Sequence, residues 1–258
     1  LARAASLWGK KTAKFSPGNL SVGDYYDTIA QDYDAEYVDA KSEAENFLLK
    51  HLLDVDEHVS GNVLDIGCGT GLLLDLFDIP TDRYCGVDPS NKMVTLAAKK
   101  HPDHLFVNSS AEYIPYVKDG TVDNVVSLFG PLNYSDDLDA ILHETCRVLS
   151  PGGQFFHMFY ATKREGKKYI LGEEQNLGVD YYDKAALQSM FALPELQFKD
   201  VRVFGMTGML EFFRSASKSW SALASAVGFL EIAMAGSMCA DSFQYLVVTG
   251  TKGAQDAT

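Results

Sequence analysis

Asp65-Ile66-Gly67-Cys68-Gly69-Thr70-Gly71 sets glycines at alternate positions, directly after the apolar run Asn62–Ile66 and ahead of the leucine-rich stretch Gly71–Phe77. Glycine lacks a Cβ, so a loop of this kind turns tightly and lays bare backbone against a ligand. The spacing decides which ligand. A dinucleotide fingerprint counted from Gly67 needs a glycine at 72, where this chain has Leu72, and a phosphate-cradling loop needs a lysine that does not follow. Both pyrophosphate readings, and with them a nicotinamide-dependent dehydrogenase, are disfavoured. Two carboxylates flank the loop. Asp65 opens it, and Asp88 ends the next apolar run, Tyr84–Val87. A carboxylate has the acceptor geometry for a diol. Asp88 also suits a helix N-cap ahead of Ser90–Asn91, and the two roles are compatible.

The elements that must hold these groups follow from periodicity. Lys41–Leu53 has apolar residues at helical spacing, with Ser42 as a candidate cap. Short apolar runs at Asn62–Ile66, Tyr84–Val87, Leu105–Val107, Val122–Leu128 and Gln154–Phe159 read as buried strands. Between them, Gly71–Phe77, Asn91–Lys100 and a helix capped by Ser135 and running to Leu149 complete the alternation. The turn Pro151-Gly152-Gly153 ends that last helix. Strand and helix alternating at short intervals specify a doubly wound α/β fold with a mostly parallel sheet and helices on both faces. Beyond residue 160 the rhythm loosens. Asp183–Phe191 reads as a helix, and Lys199–Phe204 and Phe243–Thr249 as strands. Ala161–Tyr182 and Met206–Ala240 do not fit the alternation and read as cap insertions at the rim of the sheet. There is no repeat and no linker, so residues 24–258 read as one domain.

Composition bounds the partners. The 258 residues carry a net charge of −13, which repels phosphate backbones and argues against nucleic acid. Hydrophobic residues make up 47%, as a packed protein needs. Cys68, Cys85, Cys146 and Cys239 are dispersed, which suits neither a zinc site nor a disulfide framework and fits a reducing, cytoplasmic setting. Residues 1–23 contain Arg3, Lys10, Lys11 and Lys14 and no acid. They read as a basic leader or tag-like segment, with organelle import as the alternative if it is a transit sequence. Ala222–Met238 is apolar but short and contains Glu231, so no membrane anchor is expected.

The segments resemble, in order along the chain, the motifs of the class I S-adenosylmethionine (SAM)-dependent methyltransferases. Asp65–Gly71 is similar to the family's (D/E)xGxGxG motif, and Gly86-Val87-Asp88 to the strand end that holds the ribose. Ser109–Tyr116 looks like the GDAExLPF segment beside adenine, with Ser110 where an aspartate is usual. Asp119–Leu128 and Leu142–Phe155 are similar to the fourth-strand and helix-turn-strand motifs. Tyr26–Asp34, YDTIAQDYD, resembles the YDxxAxxYD opening of small-molecule and quinone-pathway methyltransferases. The resemblance covers residues 24–160; residues 161–240 match nothing in it.

The resemblance implies a seven-stranded Rossmann-like sheet with a helical cap and SAM as cofactor. It implies cofactor contacts at Tyr25, Tyr33, Asp65, Gly67, Cys68, Gly69, Gly71, Leu72, Asp88, Pro89, Met93, Ser110, Ala111, Glu112 and Leu128. Tyr33 is the aromatic residue expected to close over SAM, and a hydroxyl at Ser110 can still bond the adenine amino group. The implied acceptor is a small molecule methylated at N, O or C, with Tyr26, Phe129, Asn133, Tyr134 and Tyr160 at the rim where it would lie. Gly130-Pro131 suggests a rigid loop near the methyl group. No metal is expected, and the assembly is a monomer or homodimer. Nothing identifies a general base: His143 falls on the polar side of its helix, and His157 inside its strand reads as a packed, hydrogen-bonded core residue. A non-catalytic SAM-binding regulator, or an enzyme of other outcome built on the same pocket, remains an alternative.

Overall fold

The strand Val63–Ile66 is buried at every residue, so helices must cover both faces of the sheet in which it lies. The computed structural model describes residues 21–161, 179–206, 218–234 and 243–253. Residues 1–20 of the expected leader, the larger part of the stretch 161–182 and part of the stretch 206–240 lie outside them, while Val22 and Gly23 fall in the first helix. The strands are β1 (Val63–Ile66), β2 (Tyr84–Asp88), β3 (Leu105–Asn108), β4 (Val122–Ser127), β5 (Leu149–Tyr160), β6 (Phe198–Met206) and β7 (Tyr245–Lys252). The helices are α1 (Val22–Ile29), α2 (Ala40–Val55), α3 (Leu72–Leu76), α4 (Asn91–Lys100), α5 (Leu138–Val148), α6 (Lys184–Phe191) and α7 (Ser221–Met234).

The seven strands form one sheet in the order β3-β2-β1-β4-β5-β7-β6. β7 pairs antiparallel with both β5 and β6, while the pairs from β3 across to β5 are parallel. From β1 the chain first winds outward through β2 and β3, then returns to the other side of β1 as β4. The crevice at that reversal, at the carboxyl ends of β1 and β4, is where open α/β sheets bind ligands.

β5 shows how alternation builds two cores from one strand. Phe155 and Phe159 join Val125, Leu142 and Phe191 on one face. Phe156 and Met158 join Leu49, Leu53 and Val126 on the other. His157 is buried on the first face, stacked on Phe155 with ring centroids 5.4 Å apart. Neither of its ring nitrogens meets strict hydrogen-bond geometry among the described residues, and the ring packs between Phe155 and Phe191.

Two helix starts differ from the sequence reading. α2 is capped by Asp39, whose Oδ1 accepts from Ser42 N at 2.8 Å, so Ser42 lies inside the first turn rather than at the cap. α5 is capped by Asp137, not Ser135. Ser135 Oγ accepts from Asp137 N at 3.0 Å and donates to Glu112 Oε1 at 2.6 Å, a tertiary contact invisible to local spacing. β5 also begins earlier than expected, with Pro151-Gly152-Gly153 inside the strand. Of the stretch 206–240, α7 packs on α2 through Ala224, Leu48 and Ala44. No described residue of α7 touches the crevice at β1 and β4. No helix among the described residues is long and apolar enough to cross a membrane.

Candidate functional site

A cavity of about 350 Å³ opens at the carboxyl ends of β1, β2 and β4. Its floor is the glycine loop. The N–H groups of Gly67 and Cys68 both donate to Val87 O, at 2.8 and 3.1 Å, which anchors the loop to β2. Gly67 has φ +70°, and a Cβ there would overlap the Pro131 ring, so the loop after β4 closes directly onto bare backbone. At Gly69, with φ +53°, a Cβ would meet nothing within 4 Å. That open position is a cradle a ligand can lie against.

Asp88 holds the adjoining wall. Its Oδ2 accepts from Gly69 N at 3.0 Å and its Oδ1 from Ser90 N at 2.8 Å. Asp65 is buried under the loop and accepts from the Tyr84 hydroxyl at 2.9 Å. Burial pushes its carboxyl up to about 7, helped by the Asp88 charge and opposed by the Tyr84 bond. Burial likewise pushes Asp88 up to about 6, opposed by the N–H groups of Ser90 and Gly69. Among the described residues the charged groups lining the cavity are Asp65, Asp88, Glu112 and Asp136, and all are acidic. An acidic set of this kind, with Asp65 and Asp88 buried, favours a cationic ligand. SAM carries a positive sulfonium and a positive amino group, so the bare loop and the acidic wall both fit it.

Most of the expected cofactor residues converge here. Tyr33, Asp65, Gly67, Cys68, Gly69, Leu72, Asp88, Pro89, Met93, Ser110, Ala111, Glu112 and Leu128 line the cavity. Two do not. Tyr25 is buried behind Tyr26, with ring centroids 5.3 Å apart, and Gly71 caps α3 with φ +93°. Ser110 lines the cavity, and its hydroxyl donates to Glu112. Ser135 fixes the second Glu112 oxygen.

Of the expected acceptor contacts, Tyr26, Phe129 and Tyr134 line the cavity. Asn133 and Tyr160 do not. Asn133 is fully buried, and its amide is used internally: Oδ1 accepts from Tyr160 N at 2.9 Å and Nδ2 donates to Asp180 O. It therefore fastens the end of β5 instead of facing a substrate. Tyr160 stacks against Tyr245 and Tyr134, at 5.5 and 6.2 Å. No histidine lines the cavity among the described residues, and no group of side chains there could hold a metal.

Several lining residues escaped the sequence reading. Ser21, Val22 and Gly23 reach the cavity because α1 folds back over it, which no local pattern announces. Thr70 and Asp136 sit beside residues that were identified. Pro131 carried a signal in the Gly130-Pro131 pair, although its contact with Gly67 is tertiary.

The chain is similar to known methyltransferases. Residues 63–153 match a family model described as a methyltransferase domain. An uncharacterized protein of Methanocaldococcus jannaschii is 32% identical over 136 residues, covering 53% of this chain and 50% of that protein. An uncharacterized methyltransferase of Bacillus mycoides is 25% identical over 178 residues, 64% of this chain and 82% of that protein. The match thus spans about half the length of the first of these relatives. Among solved structures, a phosphoethanolamine N-methyltransferase of Haemonchus contortus in complex with S-adenosyl-L-methionine superimposes with a TM-score of 0.62 at 17% identity. That likeness covers 93% of this chain and 61% of the other, and it is one of fold.

Proposed function

We propose, from the premise that this chain carries a class I SAM-dependent methyltransferase domain at residues 63–153, that it transfers a methyl group to a small-molecule acceptor at nitrogen, oxygen or carbon. The observation that carries the reading is a cavity floored by bare glycine backbone whose charged lining residues, among the described residues, are all acidic. When bound, SAM supplies an electrophilic methyl group on a positively charged sulfur. The chain's own work is then alignment of the two reactants, which by itself accounts for about 7–11 kcal/mol of barrier in well-oriented systems.

The residues divide that work. Gly67 and Gly69 let the methionine part of the ligand lie on the loop, and Asp88 accepts from the ribose hydroxyls. The rings of Tyr26, Tyr33 and Tyr134 lie in edge contact, at 6.1 Å between Tyr26 and Tyr33 and 5.9 Å between Tyr26 and Tyr134. Aromatic faces beside a sulfonium favour its charge and exclude water from it. Burial raises the Tyr26 and Tyr33 phenols well above their ordinary range, so both stay neutral at physiological pH. The acceptor approaches between these rings and the loop Phe129–Tyr134.

Calorimetric titration with SAM, its demethylated product and NAD tests the cofactor. SAM binding without NAD binding is expected, and NAD binding without SAM binding overturns the reading. Transfer of label from methyl-labelled SAM into a metabolite extract tests catalysis. Tight SAM binding with no labelled product from a broad extract would point to a regulatory SAM-binding protein instead.

A further inference from the structure

We propose that Asp27 and Asp34, two of the three aspartates of the Tyr26–Asp34 segment, are positioning residues that clasp this segment over the cavity, so that the segment and the glycine loop move as one unit. The proposal rests on the reading of the cavity as the SAM site. Each aspartate follows directly on a tyrosine that lines the cavity, Tyr26 and Tyr33. Fixing the aspartates therefore fixes the rings.

Asp34 grips the loop itself. Its Oδ1 accepts from Thr70 Oγ1 at 2.6 Å, and Thr70 is a buried residue inside the glycine loop. Its Oδ2 accepts from Lys100 Nζ at 3.2 Å. The same ammonium reaches Asp75 of α3 at 2.7 Å, so one cation joins the opening segment to the helix that the glycine loop starts. The two bonds are not equal. The Asp34–Lys100 pair is half-exposed on both sides and heavily screened by solvent. The Thr70 bond has an ionised acceptor and a buried donor, which makes it the stronger of the two.

Asp27 grips the neighbouring wall. Its Oδ1 accepts from Ser90 Oγ at 2.6 Å and from Lys92 N at 2.9 Å. These bonds hold its carboxyl below the ordinary range. Lys92 N is one of the unpaired donors of the first turn of α4, so Asp27 acts as a second cap on a helix already capped by Ser90, and its charge meets the positive end of that helix. Ser90 also donates its N–H to Asp88 Oδ1. A chain of bonds thus runs from Asp27 through Ser90 to Asp88. Gly23 completes the docking: a Cβ there would overlap Pro89 O, so α1 lies backbone to backbone on the turn after β2.

The geometry closes the segment through side chains that the cavity wall also uses. Ligand binding and closure are then coupled, and each strengthens the other. Hydrogen exchange over residues 21–38, followed by mass spectrometry, and SAM affinity by calorimetry test this on the full chain. Asp34→Ala and Thr70→Val should each raise the SAM dissociation constant about tenfold, roughly the loss of one charge-assisted hydrogen bond. The double variant should be no weaker than the weaker single, because both remove the same bond. Exchange over 21–38 should quicken in all three while β1, β4 and β5 keep their protection. Thr70→Ser, which keeps the hydroxyl, should restore both readouts, and Ser90→Ala should loosen α1 without altering the Asp34 bond.

Additive losses in the double variant, or unchanged exchange over 21–38 in Asp34→Ala, would overturn the clasp. If the wild-type chain does not bind SAM at all, the methyltransferase reading fails, and the exchange data still decide whether the segment is clasped.

Discussion

The backbone N–H of Gly69 donates to Asp88 Oδ2 at 3.0 Å, so the tip of the glycine loop and the carboxyl end of β2 form a single rigid corner. Two features 19 residues apart in sequence thereby share one function. The loop leaves space for the ligand, and the carboxylate that faces this space also holds the loop open. Four consequences can be measured.

Asp88→Ala removes an acceptor from two backbone donors, Gly69 N and Ser90 N. Of the two, Ser90 N is the buried one, and a buried donor left unpaired costs about 1–3 kcal/mol. Urea unfolding should show a loss in that range, and the dissociation constant for SAM should rise more than tenfold as the ribose acceptor goes. A destabilised variant with wild-type SAM affinity would remove Asp88 from the ligand contacts.

Gly69→Arg fills the cradle without striking the protein, since a Cβ at 69 meets nothing within 4 Å. The left-handed backbone there costs a non-glycine residue roughly 1–2 kcal/mol. The variant should keep its circular dichroism spectrum and most of its thermal stability, yet lose SAM binding. Normal binding would show that the ligand lies elsewhere.

SAM affinity should rise with pH. The sulfonium keeps its charge at every pH, whereas the apo-protein carboxyls of Asp65 and Asp88 ionise only near 7 and 6. Above pH about 7 both are charged and attract the cation, and as pH falls through that window the ligand must compete with a proton at each. Calorimetry at pH 8, 7 and 6 should therefore show progressively weaker binding. Binding that tightens toward pH 6 would contradict the acidic character of the wall.

His157 should make the fold acid-sensitive. Burial lowers its folded-state pKa to about 3, below the ordinary imidazole value of 6.5. The stability from keeping it neutral is present above 6.5 and is lost as pH falls from there toward 3. His157→Phe should lose less stability between pH 7 and pH 5 than the wild type, measured by urea unfolding. Part of the slope should remain, because His58 is buried as well and is lowered to about 4.

Much of the site is legible in the residues alone because its parts are local. The alternate glycines at 67, 69 and 71 read as a ligand loop from spacing, and Asp88 reads as an acceptor from its place at a strand end. Their convergence could be anticipated because a right-handed βαβ unit must bring the ends of β1 and β2 together. The parallel core from β1 to β5 was equally accessible, since each buried strand is a short apolar run between helical stretches.

The tertiary structure decided what depends on partners distant in sequence. Asn133 and Tyr134 are adjacent and both look like rim residues. One is fully buried with its amide spent on β5 and Asp180, and the other faces the cavity. Ser135 looks like a helix cap by local rules, but Asp137 takes that role and Ser135 turns to Glu112. Ser110 lines the cavity as expected, and its hydroxyl is also donated to Glu112, a partner that spacing does not announce. In each case the polar group had more than one acceptor or donor within reach, and a hydrogen bond is chosen by which partner folding brings close, not by which lies near in sequence. The backbone pattern is written in periodicity and glycine spacing. The allocation of side-chain hydrogen bonds at the site is settled only when the sheet closes.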